Sequence, residues 1–279
     1  RMYCFERHRQ EFQILLTAIT KESGPDDFVA MIEAANDLPR SSDCRDVNRP
    51  EFRVPLPASD ADRERVQDID DKLVELTPTH WTKMNTADIA EVALLISEAK
   101  PLGYAPLLAR AFVVQHELYR LHENDAAALA AARAGIVAAT EAKNNEGIAR
   151  WMLYFLSRKT LEDAPVEEFD TTRFFVSNAV LRAGNTPELR ARFAMAQARH
   201  SSIRTQEEVQ ESLWNEAVSA TEGIGSLKNL RAQALSGLGQ TLIGNGHTTR
   251  GLDHVEQAID VLTDIHGQHS PLVIAQRGK

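Results

Sequence analysis

Leu235-Ser236-Gly237-Leu238-Gly239-Gln240-Thr241-Leu242, followed by Gly246, Gly251-Leu252, Val255 and Ala258-Ile259, decides how this chain folds. Leu235, Leu238 and Leu242 recur at the three-and-four spacing of one helical face, and Val255, Ala258 and Ile259 resume it beyond a glycine turn. The stretch predicts two antiparallel helices joined at Gly244-Asn245-Gly246. Gly239 lets the two helices of this hairpin approach closely. Gly251 and Ala258 keep the second helix thin where a next unit packs, and Leu235, Leu242 and Val255 fill the space between.

Working outward, a small residue in the slot of Ala258 recurs at Ala217, 41 residues earlier. The first helix of that unit, with Leu189, Phe193 and Ala194, matches less well, because Gln197-Ala198 stands where an apolar residue and glycine are expected. Phe112, Gln115-His116, Tyr119, Glu123, Ala128 and Gly135 form another unit, with His116 in the glycine slot. The stretch from Trp151 to Asp170 matches worst and reads as a degenerate repeat with a long second helix.

Helical period runs through almost the whole chain, with no strand alternation. Helices are predicted near 105–122, 125–142, 145–161, 165–183, 187–203, 207–221, 226–244 and 248–265. Upstream, one runs from Met2 to Ile19 with Phe5, Phe12, Leu15, Leu16 and Ile19 on one side; Ser23-Gly24-Pro25-Asp26 breaks it, and a second follows to about Asp37. Pro39, Pro50, Pro55 and Pro57 mark an extended connector. Helices resume at the N-cap pair Ser59-Asp60, stop before Pro78, restart at Asn85-Thr86 and close at Pro101-Leu102-Gly103. The expected organisation is an N-terminal helical hairpin plus proline-rich connector over 1–58, then helical repeats over 59–279. Arg1 and the helix opening at Pro271 both read as cuts from a longer protein.

Composition narrows the function. The chain has 279 residues, 43% of them hydrophobic and only 6% aromatic, which suits close helix–helix packing and argues against disorder. Its formal net charge of −9 disfavours nucleic acid, whose phosphates require a basic surface. No apolar run reaches the eighteen residues needed to span a bilayer, so no membrane insertion is expected. Cys4 and Cys44 are read in two ways: as unrelated half-buried thiols, or as one disulfide tying the first helix to the segment after the second, which requires an oxidising compartment.

The unit at 235–259 resembles the tetratricopeptide motif. Asp264-Ile265-His266-Gly267-Gln268-His269-Ser270-Pro271 resembles the longer linker of kinesin-light-chain-type repeats. The resemblance implies an all-α fold, a right-handed α-solenoid of antiparallel helix hairpins. More specifically, Arg1-Met2-Tyr3-Cys4-Phe5-Glu6-Arg7 resembles an element of large myxobacterial-type serine/threonine kinases. Leu38-Pro39, Cys44-Arg45-Asp46 and Ala99–Ala109 are similar to further elements in the same order. That resemblance implies the regulatory or sensory region of such a kinase. The alternative is the effector-sensing helical-repeat domain of a transcriptional regulator, which a neighbouring helix-turn-helix would decide.

No catalytic constellation is legible, and no cofactor is expected. Gly-rich loop, Val-Ala-x-Lys, His-Arg-Asp and Asp-Phe-Gly are all missing from the sequence. Gly237-Leu238-Gly239 follows no strand and reads as helix interior, not a phosphate loop. His116 and His122 are six residues apart, which does not put two ligands on one helix face, and His266 with His269 lacks a third ligand. Glu167, Glu168 and Asp170 read as a solvated helix N-terminus. In tetratricopeptide arrays the first helix of each unit lines the groove. The outward slots on those helices hold Arg110, Glu117 and Arg120; Arg150, Met152 and Lys159; Arg192, Met195 and Arg199; and Gln233, Ser236 and Gln240. A groove lined by Arg110, Arg120, Arg150, Lys159, Arg192 and Arg199 would clamp a protein or peptide partner with acidic groups. The competing reading pairs these cations with nearby glutamates, at about 0–1 kcal/mol each.

Overall fold

Helix starts and stops fall where the sequence punctuates. The computed structural model describes residues 2–20, 38, 54–79, 86–157, 166–204, 207–268 and 270–277. Among them there is no strand; helix follows helix. They are α1 (Met2–Thr20), α2 (Asp60–Thr79), α3 (Thr86–Ala99), α4 (Ala105–Leu121), α5 (Asp125–Glu141), α6 (Asn145–Leu156), α7 (Val166–Arg182), α8 (Pro187–Arg204), α9 (Glu207–Ala220), α10 (Lys228–Gly244), α11 (Thr248–His266) and α12 (Pro271–Arg277). Ser59 caps α2, its hydroxyl accepting from the Asp62 N–H at 3.0 Å, and Asn124 caps α5 through the Ala127 N–H at 3.2 Å. Each leaves one fewer unpaired donor in a first turn.

One turn recurs at the helix ends. After α4, the Asn124 N–H reaches back to the Tyr119 carbonyl with Glu123 in the left-handed region. Asn144 to Ala139, Asn185 to Val180 and His247 to Leu242 repeat that bond after α5, α7 and α10. The reversal satisfies carbonyls that a helix end leaves open, and after α4 and α10 it leads into the antiparallel partner of the same hairpin.

The chain divides into two compact units, residues 1–144 and 145–279. In the first, α2, α3 and α4 share a core of Val66, Ile69, Leu73, Val92, Leu95, Leu107, Ala111 and Leu118, and α4 pairs with α5. Helix α1 packs on α2 but buries only a narrow stripe: Leu15 is enclosed, whereas the expected inward residues Phe5, Phe12 and Leu16 are exposed. Helix α2 runs on to Thr79 and includes Pro78, two residues past the expected stop and within ordinary fraying. The expected second helix, ending near Asp37, and most of the proline-rich connector lie outside the described residues.

In the second unit the hairpins are α6/α7, α8/α9 and α10/α11. Their first helices also pack on one another, α6 on α8 and α8 on α10, and α9 packs on α10. The slot of Ala258 explains the spacing. Val176, Ala217 and Ala258 follow at intervals of 41 residues, and all three are wholly buried. The α6/α7 hairpin, the worst match in sequence, thus has a buried residue at the same 41-residue spacing. Trp214 of α9 lies flat against α10, where a Cβ on Gly237 would come within 2.7 Å of its ring carbon Cζ2.

Gly239 and Gly251 meet face to face. A Cβ on Gly239 would lie 2.7 Å from the Gly251 carbonyl oxygen, and one on Gly251 would lie 2.7 Å from that of Gly239. Gly251 therefore serves the crossing inside its own hairpin; the sequence expectation put it against a next unit. The same crossing, twelve residues across, appears in other hairpins with different chemistry. Gln210 Nε2 donates to the Ala198 carbonyl at 3.1 Å, and His116 Nδ1 lies 3.0 Å from the Ala128 carbonyl. A carbonyl only accepts, so His116 carries its proton on Nδ1 there.

Candidate functional site

The six cations singled out in the sequence separate between the two units. Arg110 and Arg120 stand on α4 of the first, and Arg150, Arg192 and Arg199 on α6 and α8 of the second. Lys159 lies outside the described residues. So does Cys44, and nothing is described of the Cys4 side chain, so the pairing of the two cysteines falls outside as well.

In the first unit Arg110 turns to Asp70 of α2, forming an ion pair and hydrogen bond. Asp70 is 1% exposed and Arg110 27%. A buried carboxylate without a cation would cost several kcal/mol, on the order of 3–5, so this pair joins α2 to α4. Arg120 pairs with Glu117 one turn back on its own helix at 2.8 Å, in the open.

In the second unit Arg150 and Arg192 converge on one carboxylate. Arg150 donates to both oxygens of Glu188, at 2.8 and 3.0 Å, and Arg192 Nε donates to Oε1 at 2.9 Å. Arg150 also reaches Glu146 at 2.9 Å. Geometry explains the convergence: Glu188 stands four residues before Arg192 on α8, and α8 packs against α6. Desolvation pushes the Glu188 carboxyl up, but the charges and hydrogen bonds of Arg150 and Arg192 outweigh it and hold it below its ordinary value. Desolvation likewise pulls the Arg150 guanidinium down, and Glu188 and Glu146 outweigh it, holding it above. Desolvation alone lowers Arg199, two turns beyond Arg192.

The row continues on α10, where Gln276 of α12 donates to the Ser236 hydroxyl at 2.6 Å and Gln240 approaches the same hydroxyl at 3.3 Å. Met195, read as an outward slot, is instead buried at 3% among Ala191, Ala198 and Leu230. An unbranched thioether fills the gap left beside the small residues Ala191, Ala194 and Ala198 of its own helix.

Sequence reasoning missed the two acids that organise these cations. Asp70 was visible in principle: Val66, Ile69, Asp70 and Leu73 share one inward face, so an acid there demands a buried cation. Glu188 carried a weaker signal, an acid in a first turn four residues before Arg192.

Among the described residues no helix is long and apolar enough to cross a membrane. Fold and site together define an all-α chain of adjacent helix pairs, with a polar, ion-paired row on the first helices of its second unit. The chain matches no family model, and no curated protein or solved structure matches it either.

Proposed function

We propose that this chain is a non-catalytic scaffold of the tetratricopeptide kind, a right-handed solenoid of hairpins that holds a protein or peptide partner with acidic groups along its first helices. One observation carries the reading: the Gly239–Gly251 crossing at the center of a hairpin with Leu235, Leu238, Leu242 and Val255 at the repeat's spacing. The 41-residue recurrence of Val176, Ala217 and Ala258 supports it through neighbouring hairpins.

The row of arginines supports the partner's chemistry. Arg150 and Arg192 are each the sixth residue of a first helix, and both are about half exposed. They share Glu188: Arg192 gives it only its Nε–H, which leaves the terminal nitrogens of Arg192 to reach a second carboxylate, while Arg150 divides between Glu188 and Glu146. Glu188 is only 26% exposed and is held by both arginines, so a partner's carboxylate competes with it for them. The assignment to a bacterial serine/threonine kinase rests on the resemblance of residues 1–7, Leu38-Pro39, 44–46 and 99–109 alone.

The test is an affinity measurement with a fluorescein-labelled peptide of Asp, Glu and Gly. Replacing Arg150, Arg192 and Arg199 with Glu abolishes its binding. Unchanged affinity removes the reading.

A further inference from the structure

Helix α7 is apolar on two sides. Its inner side buries Val176, Ala179 and Val180 in the second unit's core. Its outer side carries Phe174, Phe175 and Leu181, exposed by 64%, 55% and 60%. Phe174 and Leu181 are seven residues apart and lie on one line along the helix, and Phe175 flanks them with its ring edge-on to Phe174 at 5.8 Å. The rest of the exposed surface of α7 is polar, so these three side chains form a short apolar stripe set among charged and polar neighbours.

The sister helices show that this is particular to α7. With Val176, Ala217 and Ala258 as the common buried slot, the positions of Phe174 and Phe175 fall on Asn215 and Glu216 of α9, and that of Leu181 on Glu222 in the turn just past its end. In the hairpin after that they fall on Glu256, Gln257 and Thr263. The repeat places polar residues on that outer line twice, and in α7 alone of the three places large apolar ones. An exposed apolar stripe with polar flanks marks an interaction surface.

Charge decides what covers it. The first turn of α7 is acidic, with Glu167 and Glu168, and its last turn is basic, with Arg182. Glu167, seven residues before Phe174, stands on its line, and Arg182, eight residues after it, borders the same face while donating to Asn145 of α6 at 3.4 Å. This pattern is complementary to itself in reverse. If two copies of α7 lie antiparallel with Phe174 at the two-fold axis, Phe174 meets Phe174 and Glu167 stands level with Leu181. Arg182 is then one residue's rise away, about 1.5 Å along the axis, within reach of the acidic turn. The helix dipoles oppose favourably in the same arrangement.

We propose that the outer stripe of α7 is the self-association surface of this chain, covered by α7 of a second copy in an antiparallel, two-fold pairing. The pairing is independent of the arginine row on α6 and α8, so either can hold without the other.

Sedimentation velocity of the whole 279-residue chain from about 1 to 200 µM tests it. The expected result is a concentration-dependent dimer. Phe174→Glu with Leu181→Glu, both on exposed positions, leaves the helical circular dichroism unchanged and raises the dimer Kd at least about tenfold. Glu167→Arg and Arg182→Glu each weaken the dimer, and the two combined restore it, because both copies then carry the reversed pattern. A chain that stays monomeric across the range overturns the proposal, as does a dimer that survives Phe174→Glu with Leu181→Glu. Failure of the combined charge reversal to restore pairing overturns the antiparallel register.

Discussion

Gly239 and Gly251 hold the α10/α11 hairpin in backbone contact, each presenting its carbonyl oxygen 2.7 Å from where the other's Cβ would be. Backbone cannot move aside as a flexible side-chain tip can, so any side chain at either position spreads the helices and opens the core of Leu235, Leu238 and Leu242 around them.

Gly239→Ala therefore destabilises the chain, although alanine is the better helix former by about 1 kcal/mol. The strain of spreading two packed helices is about 1–3 kcal/mol. Gly244, in the last turn of the same helix, has nothing within 4 Å of its Cβ position. Gly244→Ala gains by up to about 1 kcal/mol. Urea unfolding of the two variants side by side checks the opposite signs.

At the corresponding crossing of α4 and α5, His116 is enclosed and tied to the Ala128 carbonyl. Restoring the motif's residue by His116→Gly does not stabilise this hairpin. It leaves the Ala128 carbonyl without its side-chain donor and a void where the ring stood, at a cost of about 1–3 kcal/mol. Chemical unfolding followed by circular dichroism measures it; a variant as stable as the parent would show that the ring contributes nothing there.

Glu188 gives the second unit an acid-sensitive bond. Its folded pKa lies below the ordinary value, after desolvation is outweighed by Arg150 and Arg192. A depressed acid stabilises the folded state above its unfolded pKa, about 4.3, and that contribution is lost as pH falls through the lower folded value. The stability gap between the parent and Glu188→Gln is thus full at neutral pH and closes as pH drops below about 4. Thermal unfolding of both chains at a series of pH values follows the gap; a gap constant with pH contradicts the coupling.

Helix positions were legible in the sequence because every turn carries its own chemistry, such as Asn124, Asn144 and Gly246, and because small residues mark the buried slots. The Gly239 crossing could be read for the same reason: no other residue type fits a helix interior pressed against backbone. The centers of the polar network were not legible. Asp70 and Glu188 are ordinary helix acids until α2 meets α4 and α6 meets α8, and that meeting depends on packing about forty residues apart in sequence. The outer face of α7 escaped for the opposite reason. Phe174, Phe175 and Leu181 look like core residues, and only their exposure separates them from Val176 and Val180.

Glu188→Gln offers the most direct test of the acidic-partner reading. Glu188 is the internal carboxylate that Arg150 and Arg192 both hold, so removing its charge frees Arg192 and leaves Arg150 with Glu146 alone to compete with an incoming acid. Fluorescence anisotropy with the labelled Asp/Glu/Gly peptide should show binding to Glu188→Gln tightened by about tenfold, the equivalent of about 1.4 kcal/mol. Affinity that is unchanged or weaker in Glu188→Gln would contradict an arginine row that works by exchanging its own carboxylate for a partner's.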